Sequence, residues 1–120
     1  TIGNLAFYNC YNLTNISMSN SITTIGDRAF DTCKKLISIT IPSSVTSIGN
    51  YAFSACTSLQ SIVITEGVKS IGQNAFSGCS SLQNIELPST LTTIGYNAFN
   101  NILTMVILAS FSFIYAFSLT

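Results

Sequence analysis

Thiols are the most reactive side chains in this chain of 120 residues, which contains no histidine. The four cysteines are Cys10, Cys33, Cys56 and Cys79. A thiolate can attack an electrophile or ligate a metal ion. Histidine, which is the commonest general base and the commonest metal ligand, is absent from the chain. The cysteines also lie 23 residues apart, without a C-x-x-C pair. The sequence therefore predicts neither a metal site nor an activated nucleophile.

The carboxylates and hydroxyls do not form a catalytic pattern either. The four acidic residues are Asp27, Asp31, Glu66 and Glu86. They occupy different sequence contexts, so no two are predicted to work as a general acid and base. Ser70 follows Lys69 without a partner that would activate its hydroxyl, and the glycines come singly rather than in phosphate-binding loops. We therefore expect no enzymatic activity and no cofactor.

The composition excludes further classes of partner. Charged residues make up 7% of the chain and the formal net charge is zero, whereas about a quarter of residues are charged in typical globular domains. Such a chain does not attract nucleic acid or an anionic membrane surface through long-range electrostatics.

The apolar residues follow a repeat of 23 residues. Its first half aligns Ile2, Ile25, Ile48, Ile71 and Ile94, then Gly3, Gly26, Gly49, Gly72 and Gly95, then Ala6, Ala29, Ala52, Ala75 and Ala98. Its second half aligns Leu13, Leu36, Leu59 and Leu82, then Ile16, Ile39, Ile62 and Ile85. A unit this short cannot bury its own apolar side chains and must stack on its neighbours, so the repeat predicts a solenoid.

One half of each unit is predicted to be a strand. The end of the segment from Leu59 to Ile64 alternates and is β-branched, which favours a short strand with one face inward. Pro42 and Pro88 lack an amide hydrogen and are expected to end the strand in two units. The fold class is therefore an α/β solenoid of short parallel strands, one in each coil of 23 residues.

The other half of each unit is predicted to be a short helical or irregular arc. Ile48, Ala52, Phe53 and Cys56 have spacings that place them on one side of a helical turn or two. Gly49 precedes this arc, at a position that needs a positive φ or a close backbone approach.

Stacking places equivalent residues about 4.8 Å apart and so predicts ladders inside the solenoid. The aromatic ladder is Phe7, Phe30, Phe53, Phe76 and Phe99, and the cysteines form a second ladder. We interpret the cysteines as small buried side chains. Disulfides between adjacent coils are the alternative, because equivalent cysteines are close enough in principle.

The unit L-x-x-I-x-I-P-x-x-V-x-x-I-G-x-x-A-F-x-x-C, carried by Leu36 to Cys56, resembles the BspA-like leucine-rich repeats. The resemblance covers residues 1 to about 100. It implies a surface protein of mucosal bacteria or of parasitic or commensal protists. It also implies adhesion to host cells or to matrix proteins such as fibronectin and fibrinogen.

The outward positions of the strands are the predicted ligand-binding face. They are Asn15, Ser17, Ser38, Thr40, Ser61, Val63, Asn84 and Glu86. Repeat proteins usually bind on their largest regular surface, and these side chains are mostly small and uncharged. Few aromatic residues or arginines lie among them, so we expect weak affinity.

The pattern breaks after Phe99, and residues 101–120 carry no charge. The division predicted is a repeat solenoid over 1–100, with four full repeats and the start of a fifth, and an apolar segment over 101–120. Ile102 to Leu119 is long enough at the lower limit for a transmembrane helix that would anchor the repeats. A degenerate last coil, or an artefact of truncation or reading frame, is the alternative.

The function predicted is that of a non-catalytic protein-binding and adhesion module of a secreted or membrane-anchored surface protein. The alternative is an intracellular leucine-rich repeat scaffold for protein–protein interaction. Both are compatible with free cysteines.

Overall fold

The computed structural model describes residues 1–102 and shows a stack of parallel coils. We number them coil 1 (1–23), coil 2 (24–46), coil 3 (47–69), coil 4 (70–92) and coil 5 (from 93). The strands are β1 (Thr24–Ile25), β2 (Ser38–Ile41), β3 (Ser47–Ile48), β4 (Ser61–Ile64), β5 (Ser70–Ile71), β6 (Asn84–Glu86) and β7 (Thr93–Ile94). Within each sheet, the strands of adjacent coils pair in parallel, as Ser38 pairs with Ser61. The predicted solenoid is confirmed.

The strands form two sheets on different sides of the stack. Sheet A has the order β1-β3-β5-β7, and sheet B has the order β2-β4-β6. Sheet B corresponds to the predicted strands. Sheet A was not predicted, because its two-residue strands are too short for an alternating pattern. Ile48, which was assigned to a helical turn, lies instead on β3.

Of the two conformations predicted for the arcs, the irregular one is correct, and residues 1–102 contain no helix. Each arc holds two left-handed residues, such as Arg28 (φ 56°) and Thr32 (φ 65°) in coil 2. Left-handed residues interrupt a right-handed helix. The arc amides donate to carbonyls of the next coil instead, as in Phe30 N–H to Ala52 O at 2.7 Å.

The core consists of the repeated columns. Ala52, Phe53, Cys56 and Leu59 are fully buried, as are their equivalents in coil 2 and coil 4. The five phenylalanine rings stack in parallel, with centroids 5.0 to 5.6 Å apart and planes within 7°. This spacing is that of offset aromatic stacking.

Gly49 marks a close approach between backbones rather than a positive φ. A Cβ atom there would lie 2.7 Å from the Asp27 nitrogen and 2.7 Å from the Gly26 carbonyl carbon. Gly26 and Gly72 meet the preceding coil in the same way. A side chain at this position would separate adjacent coils.

The ends of the strands agree only partly with the proline positions. β2 ends at Ile41, directly before Pro42, but β4 ends at Ile64 before Thr65. Proline is therefore compatible with the end of the strand without being needed for it.

Residues 103–120 lie outside the described part of the chain, and so do the transmembrane helix and the degenerate last coil predicted there. Within residues 1–102, no helix is long and apolar enough to cross a membrane.

Candidate protein-binding surface

The outer surface of sheet B follows from strict alternation along its strands. In β2 and β4 the first and third residues are exposed, and the second and fourth are buried. The exposed residues are Ser38, Thr40, Ser61 and Val63. Successive side chains of a strand point to opposite faces, so the inward isoleucines fix which side chains face outward.

The register of sheet B joins six of the predicted face residues into two columns. Ser38, Ser61 and Asn84 are directly paired, and so are Thr40, Val63 and Glu86. Paired residues on neighbouring strands are about 4.8 Å apart. One ligand segment can therefore contact several coils at once.

Asn15 and Ser17 differ from the other predicted face residues, because coil 1 forms no strand at residues 15–18. Both side chains are exposed. Together with Ser38 and Thr40 they border a groove of about 480 Å³ between coil 1 and β2. The structure thus places them beside sheet B and not in it.

A second groove, of about 300 Å³, lies at the other end of sheet B. Val63 and Pro88 line it together with the carboxylates Glu66 and Glu86. Glu66 accepts hydrogen bonds from the Ser89 backbone N–H and hydroxyl, both at 3.0 Å. The Ser89 backbone N–H, followed by the hydroxyl, lowers the pKa of Glu66. This end of the surface is therefore acidic.

Two exposed apolar side chains give the surface its candidate anchors. Val63 is 52% exposed in the centre of sheet B, and Ile37 is 45% exposed directly before β2. Apolar groups at the centre of an interface gain from burial by about 25 cal/mol per Å². Val63 lies in the column between Thr40 and Glu86, and Ile37 directly precedes Ser38 of the other column.

The cysteine ladder is unsuited to chemistry. The Cys33, Cys56 and Cys79 thiols are buried, and each donates to the carbonyl of the phenylalanine in the preceding coil at 3.1 to 3.2 Å. Burial raises the pKa of Cys33 to about 12. A hydrogen bond with the Cys79 thiol, followed by burial, raises the pKa of Cys56. All four cysteines are free thiols, and those with raised pKa values stay protonated near neutral pH.

The carboxylates are dispersed among the coils. Asp31 is 5% exposed and pairs with Arg28 at 2.7 Å, whereas Glu66 and Glu86 lie at the acidic groove. Within residues 1–102, no three cysteine or acidic side chains form a group that could hold a metal ion.

A polar ladder along the arcs was missed by the sequence reasoning. Asn4 Oδ1 accepts the Asp27 backbone N–H, Asp27 Oδ1 accepts that of Asn50, and Asn50 Oδ1 accepts that of Gln73, all at 2.8 to 2.9 Å. We name this series the Asx ladder. The signal was present, because a short acidic or amide side chain follows the repeated glycine in three coils.

Comparisons with known proteins agree with this geometry. A family model described as the BspA type leucine rich repeat region matches residues 1–118 in six copies. No curated protein matches the chain.

Three crystal structures resemble the fold. A T. pallidum leucine rich repeat protein is 30% identical, with a TM-score of 0.81 over 89% of this chain and 63% of that one. A leucine rich cell surface protein from Faecalibacterium prausnitzii is 37% identical, with a TM-score of 0.77 over 85% of this chain and 28% of that one. A leucine-rich repeat protein from Bacteroides ovatus is 24% identical, with a TM-score of 0.57 over 84% of this chain and 39% of that one, and shows the shared fold alone.

The chain spans less than two thirds of each of these proteins. The family model matches residues 1–118 of this chain, which include the repeated glycine, phenylalanine and cysteine positions. The chain therefore belongs to the BspA-type leucine-rich repeat family, whose repeats form protein-interaction modules.

Proposed function

We propose that this chain is a non-catalytic binding module of a cell-surface protein and that it presents sheet B to a matrix or host protein. The observation that carries the proposal is the register of sheet B, which aligns Ser38 with Ser61 and Asn84, and Thr40 with Val63 and Glu86. Ser38, Ser61, Thr40 and Glu86 are exposed polar residues, and Val63 is an exposed apolar one. The grooves at the two ends of this face provide concave surfaces that a protein partner could contact.

The surface location is supported by the likeness to the F. prausnitzii protein, which is named a cell surface protein. We propose the same location for the protein that contains this chain. A protease added to intact cells should then degrade the repeats, whereas an intracellular marker protein should survive. Repeats that resist the protease until the cells are lysed would favour the alternative function, an intracellular scaffold.

We also propose that residues 1–100 form the repeat solenoid and that the apolar segment 101–120 anchors this solenoid to a membrane. The support is the change in sequence at Ile102, where the repeat requires cysteine. Detergent partitioning of the full chain and of residues 1–100 tests the anchor. Only the full chain should enter the detergent phase, and equal partitioning would contradict anchoring.

The binding surface is tested by replacing Ser38, Ser61 and Asn84 together with lysine. Three parallel lysines on one column would repel each other and block the face, so binding to an immobilised matrix protein such as fibronectin should fall at least tenfold. A matched control carries lysine at Thr57 and Ser80, which are exposed on the arcs. Circular dichroism spectra should show that both variants keep the fold.

If the face variant binds as strongly as the wild-type chain, the site lies elsewhere. If the arc variant loses binding instead, the arcs form the interface.

A further inference from the structure

We propose that the side of coil 1 that faces away from coil 2 is a docking surface for a further coil of the same 23-residue repeat. The polypeptide directly before Thr1 supplies this coil. We name the surface the end surface. It consists of the backbone of residues 2–9 and of the half-buried residues Phe7, Cys10, Leu13, Ile16, Met18 and Ile22. The inference goes beyond the proposed function, because it assigns a partner to the end of the stack and not to sheet B.

Gly3 is a glycine that the contacts around it do not require. Apart from its own neighbours in sequence, no atom of the described residues lies within 4 Å of its Cβ position, and its φ is not positive. At the equivalent Gly26, Gly49 and Gly72, a Cβ atom would lie 2.6 to 2.7 Å from backbone atoms of the preceding coil. In those coils it is the preceding coil that requires glycine. Gly3 thus leaves room for a backbone that packs in front of coil 1.

Three carbonyls of the coil 1 arc repeat the acceptor pattern of the later coils. In coil 2, the carbonyls of Asp27, Ala29 and Asp31 accept coil 1 amides at 3.0, 2.7 and 2.9 Å. The same three positions of coils 3, 4 and 5 accept amides of the coil before them. The equivalent carbonyls of coil 1 are those of Asn4, Ala6 and Tyr8. These carbonyls accept no hydrogen bond from residues 1–102, so they are free to accept amides of a preceding coil.

Two donors of coil 1 complete this pattern. At the junction with coil 2, Asn4 Oδ1 accepts the Asp27 backbone N–H at 2.8 Å, and the Cys33 thiol donates to Phe7 O at 3.2 Å. The corresponding donors of coil 1 are the Asn4 backbone N–H and the Cys10 thiol. Neither has an acceptor within residues 1–102. The end surface therefore fits a coil with Asn or Asp after its glycine and with a phenylalanine carbonyl above Cys10.

The apolar columns are also incomplete at the end surface. The Phe30 ring stacks on two rings, whereas the Phe7 ring stacks on one among the described residues. Leu13 is half-buried, whereas Leu36, its equivalent in coil 2, is fully buried. A further coil would add a ring to the aromatic column and remove this apolar surface from water, which is favourable.

These features together identify the occupant. A helix uses its amides for its own hydrogen bonds, so it cannot donate to the three carbonyls. A single extended peptide could reach the carbonyls, but it is too narrow to cover the aromatic and aliphatic columns as well. In every later coil the covering coil is the one directly before it in sequence. Continuity with these interfaces favours a coil that is joined to Thr1.

An extended chain tests the fit. A second copy of residues 24–46 is placed directly before Thr1, and the effect of Gly3→Ala is measured by urea unfolding. Gly3→Ala should lower the urea midpoint of the extended chain, as Gly49→Ala does, and should leave that of the 120-residue chain unchanged.

The control extension carries Phe30→Ser and Leu36→Ser within the copied segment. This segment cannot complete the columns, so Gly3→Ala should have no effect beside it. If Gly3→Ala is harmless in the first extended chain as well, no coil packs on Gly3 and the inference is wrong.

The reactivity of Cys10 shows whether the end surface is covered in the protein as its cells produce it. In the isolated 120-residue chain, the half-buried Cys10 should react with a maleimide at least about tenfold faster than the buried Cys33. In the protein purified from its cells, Cys10 should react as slowly as Cys33, as followed by mass spectrometry of the labelled peptides. Fast labelling of Cys10 in that protein would overturn the inference.

A second copy of the chain is the competing occupant of the end surface. A second copy would slow the labelling of Cys10 as the concentration of the 120-residue chain rises. We expect a labelling rate that does not depend on concentration, and a falling rate would contradict the inference. Since none of these measurements involves sheet B, the inference and the proposed function can fail separately.

Discussion

At the scale of single residues, Gly49 determines how closely two coils can approach. Replacement by alanine would bring Cβ within 2.7 Å of backbone atoms of coil 2, so Gly49→Ala should destabilise the protein by about 1–3 kcal/mol. Gly3→Ala is the matched control, because no atom lies within 4 Å of its Cβ position. Urea unfolding should show a loss of stability in the first variant only. Equal stability of both variants would refute the close approach.

The raised pKa of Cys33 predicts how the stability of the protein depends on pH. Burial raises its pKa from 9.0 to about 12, so above pH 9 the unfolded chain loses this proton before the folded chain does. The stabilisation from the neutral thiol is therefore complete below pH 9 and is lost as the pH rises toward 12. Stability curves of the wild type and Cys33→Ala should converge over this interval. A constant difference between pH 8 and pH 11 would contradict the shift.

At the scale of elements, the Asx ladder should stabilise the arcs. Asn50→Ala removes the acceptor of the Gln73 backbone N–H and should cost about 1 kcal/mol, whereas Asn50→Asp keeps an acceptor and should restore most of the loss. Gln73→Ala is the control, because its side chain accepts no such bond among the described residues. A cost at Gln73 equal to that at Asn50, measured by urea unfolding, would argue against the ladder.

Some strands could be predicted from the sequence, and others could not. The β2 and β4 strands were predictable because alternation and β-branching coincide in them. Sheet A was not, since two-residue strands such as β3 carry no period. The turns of the arcs depend on left-handed residues as different as Tyr51 and Asn74. Their conformation comes from hydrogen bonds to the next coil and leaves little trace in residue type.

For the candidate site, the sequence could identify the outward residues of sheet B. It could not show that coil 1 forms no strand at residues 15–18. Ser38, Ser61 and Thr40 follow from the period alone. The separation of Asn15 and Ser17 from sheet B could not be predicted, because these two residues occupy the same repeat positions as Ser38 and Thr40.

At the scale of the whole molecule, stability should depend on position along the stack. Phe53 is fully buried and stacks on two rings, whereas Phe7 is half-buried and stacks on one among the described residues. Phe53→Ala should therefore cost about 3–5 kcal/mol, and Phe7→Ala distinctly less. Thermal and urea unfolding of the two variants provide the comparison. Equal losses would mean that the coils do not share one continuous core.

The most direct test of the central claim is a hydrogen-exchange footprint of the chain with and without a bound matrix protein. We predict that the partner slows exchange in the strands of sheet B, at residues 38–41, 61–64 and 84–86, and leaves the arcs around Tyr51 and Asn74 unchanged. Protection of those arcs, with sheet B exchanging as in the free chain, would contradict the account.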